Sequence, residues 1–169
     1  LLFDALEKFE SEAAAQGIRV VRIKGSSLVP RFYPDPGDRH LCDVDVLIQP
    51  SDLQRVEGIL QKQGFTYHPV IPWSASKFRK AWFKAEPNRL PVSIDVHTSL
   101  YWDQPARFSP TIVSDPLGFL RLADEHEILH LIINWVEQDS CVESTKLRDI
   151  LLYINETKID WEQWVRDPV

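Results

Sequence analysis

The sequence has no long apolar run. Its most hydrophobic stretch, residues 128–136, is interrupted by His130 and Asn134 and falls well short of the roughly 20 residues that a membrane-spanning helix needs. A soluble protein without a membrane partner is expected. Cysteine is scarce: Cys42 and Cys141 are the only two, and their separation fits neither a chelating pattern nor a disulfide framework. Reduced thiols in a cytoplasmic protein follow. Positive charge is in deficit, with nineteen Lys and Arg against twenty-five Asp and Glu and a net charge of -6. This disfavours extended contact with a duplex phosphate backbone and favours a small substrate, a protein or a nucleic-acid end. Methionine is missing altogether although 44% of residues are hydrophobic, so the two-residue motif spacings carry the most weight. Internal repeats, low-complexity runs and flexible linkers are missing too.

What is present suits one α/β unit with a small helical annex. At 169 residues the chain can bury a substantial core. Residues 1–15 place Leu2, Phe3, Leu6, Phe9 and Ala13 at helical spacing before Gly17. The short β-branched segment 18–23 stops near Gly25 and precedes apolar residues 28–33, which reads as strand, tight turn, helix. Turn formers crowd residues 34–38, and Asp43-Val44-Asp45-Val46-Leu47-Ile48 has a strand pattern. Residues 51–63 form an amphipathic helix with Ser51 as N-cap and Gly64 as terminator. Strands are expected at 77–84 and 92–100, paired antiparallel through the turn at 86–90. Helices are expected at 116–120, 125–137, 144–155 and 160–165. A sheet unit is thus placed in residues 1–110 and a helical subdomain, packed on it, in residues 111–169.

Chemistry concentrates in three acids. Residues i and i+2 of a strand project the same way, about 6.7 Å apart, so Asp43 and Asp45 can converge on one cationic centre. Ser93-Ile94-Asp95-Val96-His97 alternates apolar with polar and offers Asp95 from a neighbouring strand. Three carboxylates suit Mg²⁺, which prefers oxygen ligands, and a pair of ions about 3.5 to 4 Å apart would stabilise both oxygens of an in-line displacement. Mn²⁺ is the alternative. The anionic end of an NTP needs donors, and Lys24-Gly25-Ser26-Ser27 lies where a strand turns into a helix. Ser26 is the first choice as phosphate ligand, with Gly25 permitting close approach and Lys24 or, better, Arg39 adding charge.

These residues carry a resemblance. Lys24-Gly25-Ser26-Ser27-Leu28, Tyr33-Pro34-Asp35-Pro36-Gly37, Arg39 and Asp43-Val44-Asp45-Val46-Leu47 resemble an uncharacterised nucleotidyltransferase family of the DNA polymerase beta-like superfamily. The similarity continues through Gly64-Phe65, Ile94-Asp95-Val96-His97, Lys146-Leu147-Arg148-Asp149-Ile150 and Ile159-Asp160-Trp161, covering most of the chain. It implies an α/β (α+β) fold, a mixed sheet flanked by helices with a C-terminal helical appendage, and two divalent ions on Asp43, Asp45 and Asp95. It also implies transfer of a nucleoside monophosphate, with release of pyrophosphate, from an NTP, ATP first, to an acceptor hydroxyl. The gap between Ser26 and Asp43 is longer than in compact superfamily members, and residues 32–41 are expected to shape the substrate mouth. Competing readings are an inactive nucleotide-binding module of the same fold and a metal-dependent phosphohydrolase.

Other candidates have plainer explanations. His97 should share the side of Asp95, and a hydrogen-bonded structural histidine is the first reading. His126 and His130 lie four apart on a helix but lack the Glu of the metalloprotease motif. Lys146, Arg148 and Asp149 either line the cleft or lace a helix surface with ion pairs. Trp73, Trp82, Trp102, Trp135, Trp161 and Trp164 are expected mostly in core or interface.

Overall fold

The computed structural model describes residues 1–67, 78–88, 90–100, 110–138 and 144–166. Cys141, Trp73, Trp102 and residue 77, the expected start of a strand, lie outside them. Described strands are β1 (Val21–Ile23), β2 (Val44–Leu47), β3 (Thr66–Tyr67), β4 (Arg79–Lys84), β5 (Val92–His97), β6 (Ile112–Ser114) and β7 (Leu120–Leu122). They form one mixed sheet in the order β3-β4-β5-β2-β1-β7-β6. Helices are α1 (Leu2–Ala15), α2 (Gly25–Phe32), α3 (Leu53–Lys62), α4 (Asp124–Gln138), α5 (Ser144–Glu156) and α6 (Trp161–Arg166).

Alternation along the central strands sorts side chains into two layers. Val44, Val46, Ile48, Val92, Ile94 and Val96 join Leu6 and Phe9 of α1 and Val56, Ile59 and Leu60 of α3 in one apolar cluster. Trp82 is buried in the same cluster. The alternate residues, Asp45 and Leu47 on β2 and Asp95 and His97 on β5, therefore project to the opposite face. There a second cluster joins Leu28 of α2, Ile128 and Leu131 of α4, and Ile150 and Tyr153 of α5.

β4 and β5 pair antiparallel, as the sequence pattern predicts, with Asn88 at positive φ in the turn between them. Ser51 does not cap α3: a 3-10 turn at Pro50–Asp52 precedes the helix, and Asp52 is the N-cap. Residues 116–120 are not helical. Asp115 N donates to Phe119 O (2.8 Å), Gly118 N donates to Asp115 O (2.9 Å), and Gly118 takes φ of 94°. A tight hairpin results, and its second strand, β7, pairs parallel with β1. The sheet thus extends beyond residue 110, and the helical layer begins at α4. Among the described residues no helix is long and apolar enough to cross a membrane.

Candidate active site

β2 and β5 run parallel with Asp45 beside Asp95 and Leu47 beside His97. That register places two carboxylates and an imidazole on one patch of the sheet. Asp45, Asp95 and His97 are 7%, 1% and 4% exposed, and one ligating atom from each lies within 4.8 Å of the others. Carboxylate oxygens suit Mg²⁺ and Mn²⁺, and an added imidazole nitrogen suits first-row transition ions better than Mg²⁺. The donor set fits a divalent ion. Asp43 lies just ahead of β2 with its side chain 37% exposed and is not part of that close trio. Its Oδ2 is 3.9 Å from Arg79 Nη2.

Cations hold the acids. Lys24 Nζ donates to Asp45 Oδ1 at 2.8 Å, and His97 Nε2 is 2.9 Å from the same oxygen. Arg79 donates through Nε (2.6 Å) and Nη2 to Asp95 Oδ2. Arg79 faces His97 across the β4 and β5 ladder, and Ala81 faces Asp95, so a small neighbour lets the guanidinium reach diagonally. Burial opposes ionisation of Asp45, but Lys24 and His97 outweigh it and hold its carboxyl below the usual range. Asp95 is pushed up by burial and by Asp45, with Arg79 opposing. Asp43 is pushed up to about 7 by burial and by the charges of Asp45 and Asp95. His97 is pushed down by burial and then by Lys24, and its ring donates from Nε2 to the ionised Asp45 carboxylate.

The turn above these acids joins β1 to α2. Lys24 takes φ of 54°, a left-handed conformation that a non-glycine residue adopts at a cost. At Gly25 a Cβ would collide with the Leu41 side chain, so glycine lets the loop before β2 close over the turn. Ser26 is fully buried, its hydroxyl 2.7 Å from Ile23 O and also within reach of Asp45 O. Its side chain ties β1 to β2.

A cavity of about 300 Å³ opens over the site. Lys24, Asp43, Asp45 and Arg79 line one side, and Asn134 of α4 and Thr145, Lys146 and Asp149 of α5 line another. Arg39 and Leu41, from the long connection after α2, complete the mouth. Arg39 is fixed by Asp149, with Nη2 to Oδ2 2.8 Å and Nε to Oδ1 3.4 Å. Tyr33 donates to Asp149 Oδ1 at 2.6 Å, and its hydroxyl is pushed up to about 12 by burial and that carboxylate. Lys146 and Asp149 thus reach the cleft, whereas Arg148 lies over the Tyr33 ring.

The family model for uncharacterised nucleotidyltransferases matches residues 1–167. The chain belongs to this family. A search of the curated proteins finds no match. Among solved structures, the crystal structure of ANT(2")-Ia in complex with adenylyl-2"-tobramycin aligns with TM-score 0.65 at 10% identity, covering 90% of this chain and 87% of that one. The solution structure of ANT(2'')-Ia aligns with TM-score 0.62 at 11% identity, covering 89% and 81%. An antigenic nucleotidyltransferase-like protein from Paracoccidioides brasiliensis aligns with TM-score 0.54 at 15% identity, covering 89% and 77%. At such identities the likeness is one of fold. Asp43, Asp45 and Asp95 are the acids that the sequence singles out; Arg79 went unread because no spacing relates it to them. The antiparallel pairing of its strand with Asp95 was the one available signal.

Proposed function

We propose that this nucleotidyltransferase moves a nucleoside monophosphate from an NTP, ATP first, to a hydroxyl of a small acceptor and releases pyrophosphate. The observation that carries the reading is the in-register placement of Asp45 beside Asp95, with His97 next to them, where Asp45 lines a cavity that Lys24, Arg39, Arg79 and Lys146 line too. Asp43, Asp45 and Asp95 would hold two Mg²⁺ or Mn²⁺ ions, with His97 adjoining. Bound there, such ions polarise the α-phosphate and neutralise charge on the departing pyrophosphate. Lys24, Arg39 and the backbone at Gly25 and Ser26 orient the triphosphate by charge-assisted hydrogen bonds. The acceptor enters beside Asn134 and Thr145. Its hydroxyl oxygen bonds to the α-phosphorus, the bond from phosphorus to the pyrophosphate oxygen breaks, and Asp95 takes the hydroxyl proton. One structural neighbour holds an adenylylated compound, which supports adenylyl as the group transferred.

The test is purified protein with Mg²⁺ or Mn²⁺, each labelled NTP and a panel of small polyhydroxylated acceptors. Pyrophosphate release together with a labelled acceptor is expected, and EDTA should stop it. Nucleotide binding without release under every condition would make the protein a binding module, and release of product without any acceptor would make it a phosphohydrolase.

A further inference from the structure

Lys24 and Arg79 place two positive charges directly on Asp45 and Asp95, as many as one divalent ion would supply. Each cation engages one carboxylate oxygen, Oδ1 of Asp45 and Oδ2 of Asp95. Each also lines the cavity. The Arg79 guanidinium spans from buried Asp95 to within 3.9 Å of half-exposed Asp43 at the opening.

We infer that Lys24 and Arg79 are exchangeable counter-ions, which neutralise Asp45 and Asp95 in the free protein and transfer to phosphate oxygens when a metal-nucleotide complex arrives. The inference rests on the nucleotidyl-transfer reading and adds to it how the site discriminates a metal-nucleotide complex from the bare ion. A buried carboxylate is costly to leave unpaired, which is why each acid has a partner in the free protein. A bare ion reaching Asp45 and Asp95 competes with both charge-assisted contacts and brings no acceptor for the two cations beside it. A triphosphate brings acceptors for both, since guanidinium and ammonium groups pair with phosphate as they do with carboxylate. Metal and nucleotide therefore bind with positive coupling, which linkage makes reciprocal. Arg79 and Lys24 set the size of that coupling from opposite sides of the acid pair.

The experiment is a Mn²⁺ titration read by electron paramagnetic resonance of free Mn²⁺, with and without a non-hydrolysable ATP analogue. Wild type, Arg79→Gln, Arg79→Lys and Lys24→Gln are compared at one fixed pH, each checked for folding by circular dichroism. Wild type should bind Mn²⁺ weakly alone and at least about tenfold more tightly with the analogue. Arg79→Gln and Lys24→Gln should each tighten binding of Mn²⁺ alone by about tenfold and shrink the nucleotide effect by a similar factor, while Arg79→Lys stays near wild type. Folded variants that bind Mn²⁺ no tighter than wild type, or that keep its full nucleotide effect, overturn the exchange. Wild type that gains no Mn²⁺ affinity from the analogue yet releases pyrophosphate overturns the exchange and leaves the transfer reading standing. Loss of both the gain and the release removes the two together.

Discussion

At the cleft, Lys24 and Arg79 face Asp43, Asp45 and Asp95; beneath α2, Arg31 and Arg121 face Asp115, Asp124 and Glu127. The formal makeup is the same, and the surroundings differ. Arg31 Nη1 is 2.7 Å from Glu127 Oε2, Arg121 bridges Asp115 (2.9 Å) and Asp124 (2.7 Å), and Tyr153 donates to Asp124 at 2.7 Å. That network ties α2, β7, α4 and α5 together, and none of its members lines the cavity. Each acid there meets an arginine from another element, and Asp115 and Asp124 meet two. At the cleft each acid meets one lysine or arginine, and both of those cations line the cavity. The lesson is that access and partners per charge, rather than the charge count, separate a structural pin from an exchangeable site.

The strongest test of this contrast is Asp45→Asn or Asp95→Asn, each expected to lower pyrophosphate release by about 10³-fold in steady-state kinetics. Asp115→Asn, in the closed network, should leave the rate nearly unchanged. The converse substitution, Glu127→Ala, strips a fully buried partner from Arg31 and should lower the unfolding free energy by about 3 kcal/mol in urea titration. Mn²⁺ affinity should not move; a loss of activity at unchanged stability would break the contrast.

His130 lies on α4 one turn beyond Glu127, close enough to Lys24 and His97 for their charge to count, and links the two regions. Burial first, then those two groups, push its imidazole down to about 3. Because the folded value is below the unfolded one, near 6.5, the unfolded chain binds the extra proton. The contribution is present above pH 6.5 and is lost progressively as pH falls towards 3. Asp43, pushed up to about 7, acts with the opposite sign by favouring protonation in the folded state. The His130 effect is therefore read by difference: between pH 7 and 5, wild type should lose about 2 kcal/mol more stability than His130→Leu. The smallest effect is expected at the rim, where Asp149→Asn loosens Arg39 and should raise KM for the NTP about tenfold, roughly 1.4 kcal/mol, with kcat little changed.

Much of this was legible in the chain itself. The alternation in residues 43–48 and 93–97 located Asp45 and Asp95 and put them on one face, because a two-residue period is a local property of a strand. The amphipathic stripe of α3 and the long helices α1, α4 and α5 were equally local. The hairpin at β6 and β7 was not, since three-residue strands are too short for alternation to register and β7 owes its place to pairing with β1. Ser26 read as a phosphate ligand from its position, yet its hydroxyl contacts two strand carbonyls that only the folded sheet brings together. Arg79 and Asp149 act through partners distant in sequence, Asp95 and Arg39, and no spacing encodes such meetings.

The parallel register of β2 and β5 also governs how the site can diverge. One residue added or deleted between Val92 and Asp95 would turn Asp95 towards Phe9 and Ile59, into an apolar layer. Insertions are therefore confined to places such as the turn at Asn88 or the 3-10 turn at Pro36–Asp38, where no strand pairing is displaced. Descendants of this chain should differ in the lengths of such loops while the Asp-x-Asp and Asp-x-His intervals stay invariant.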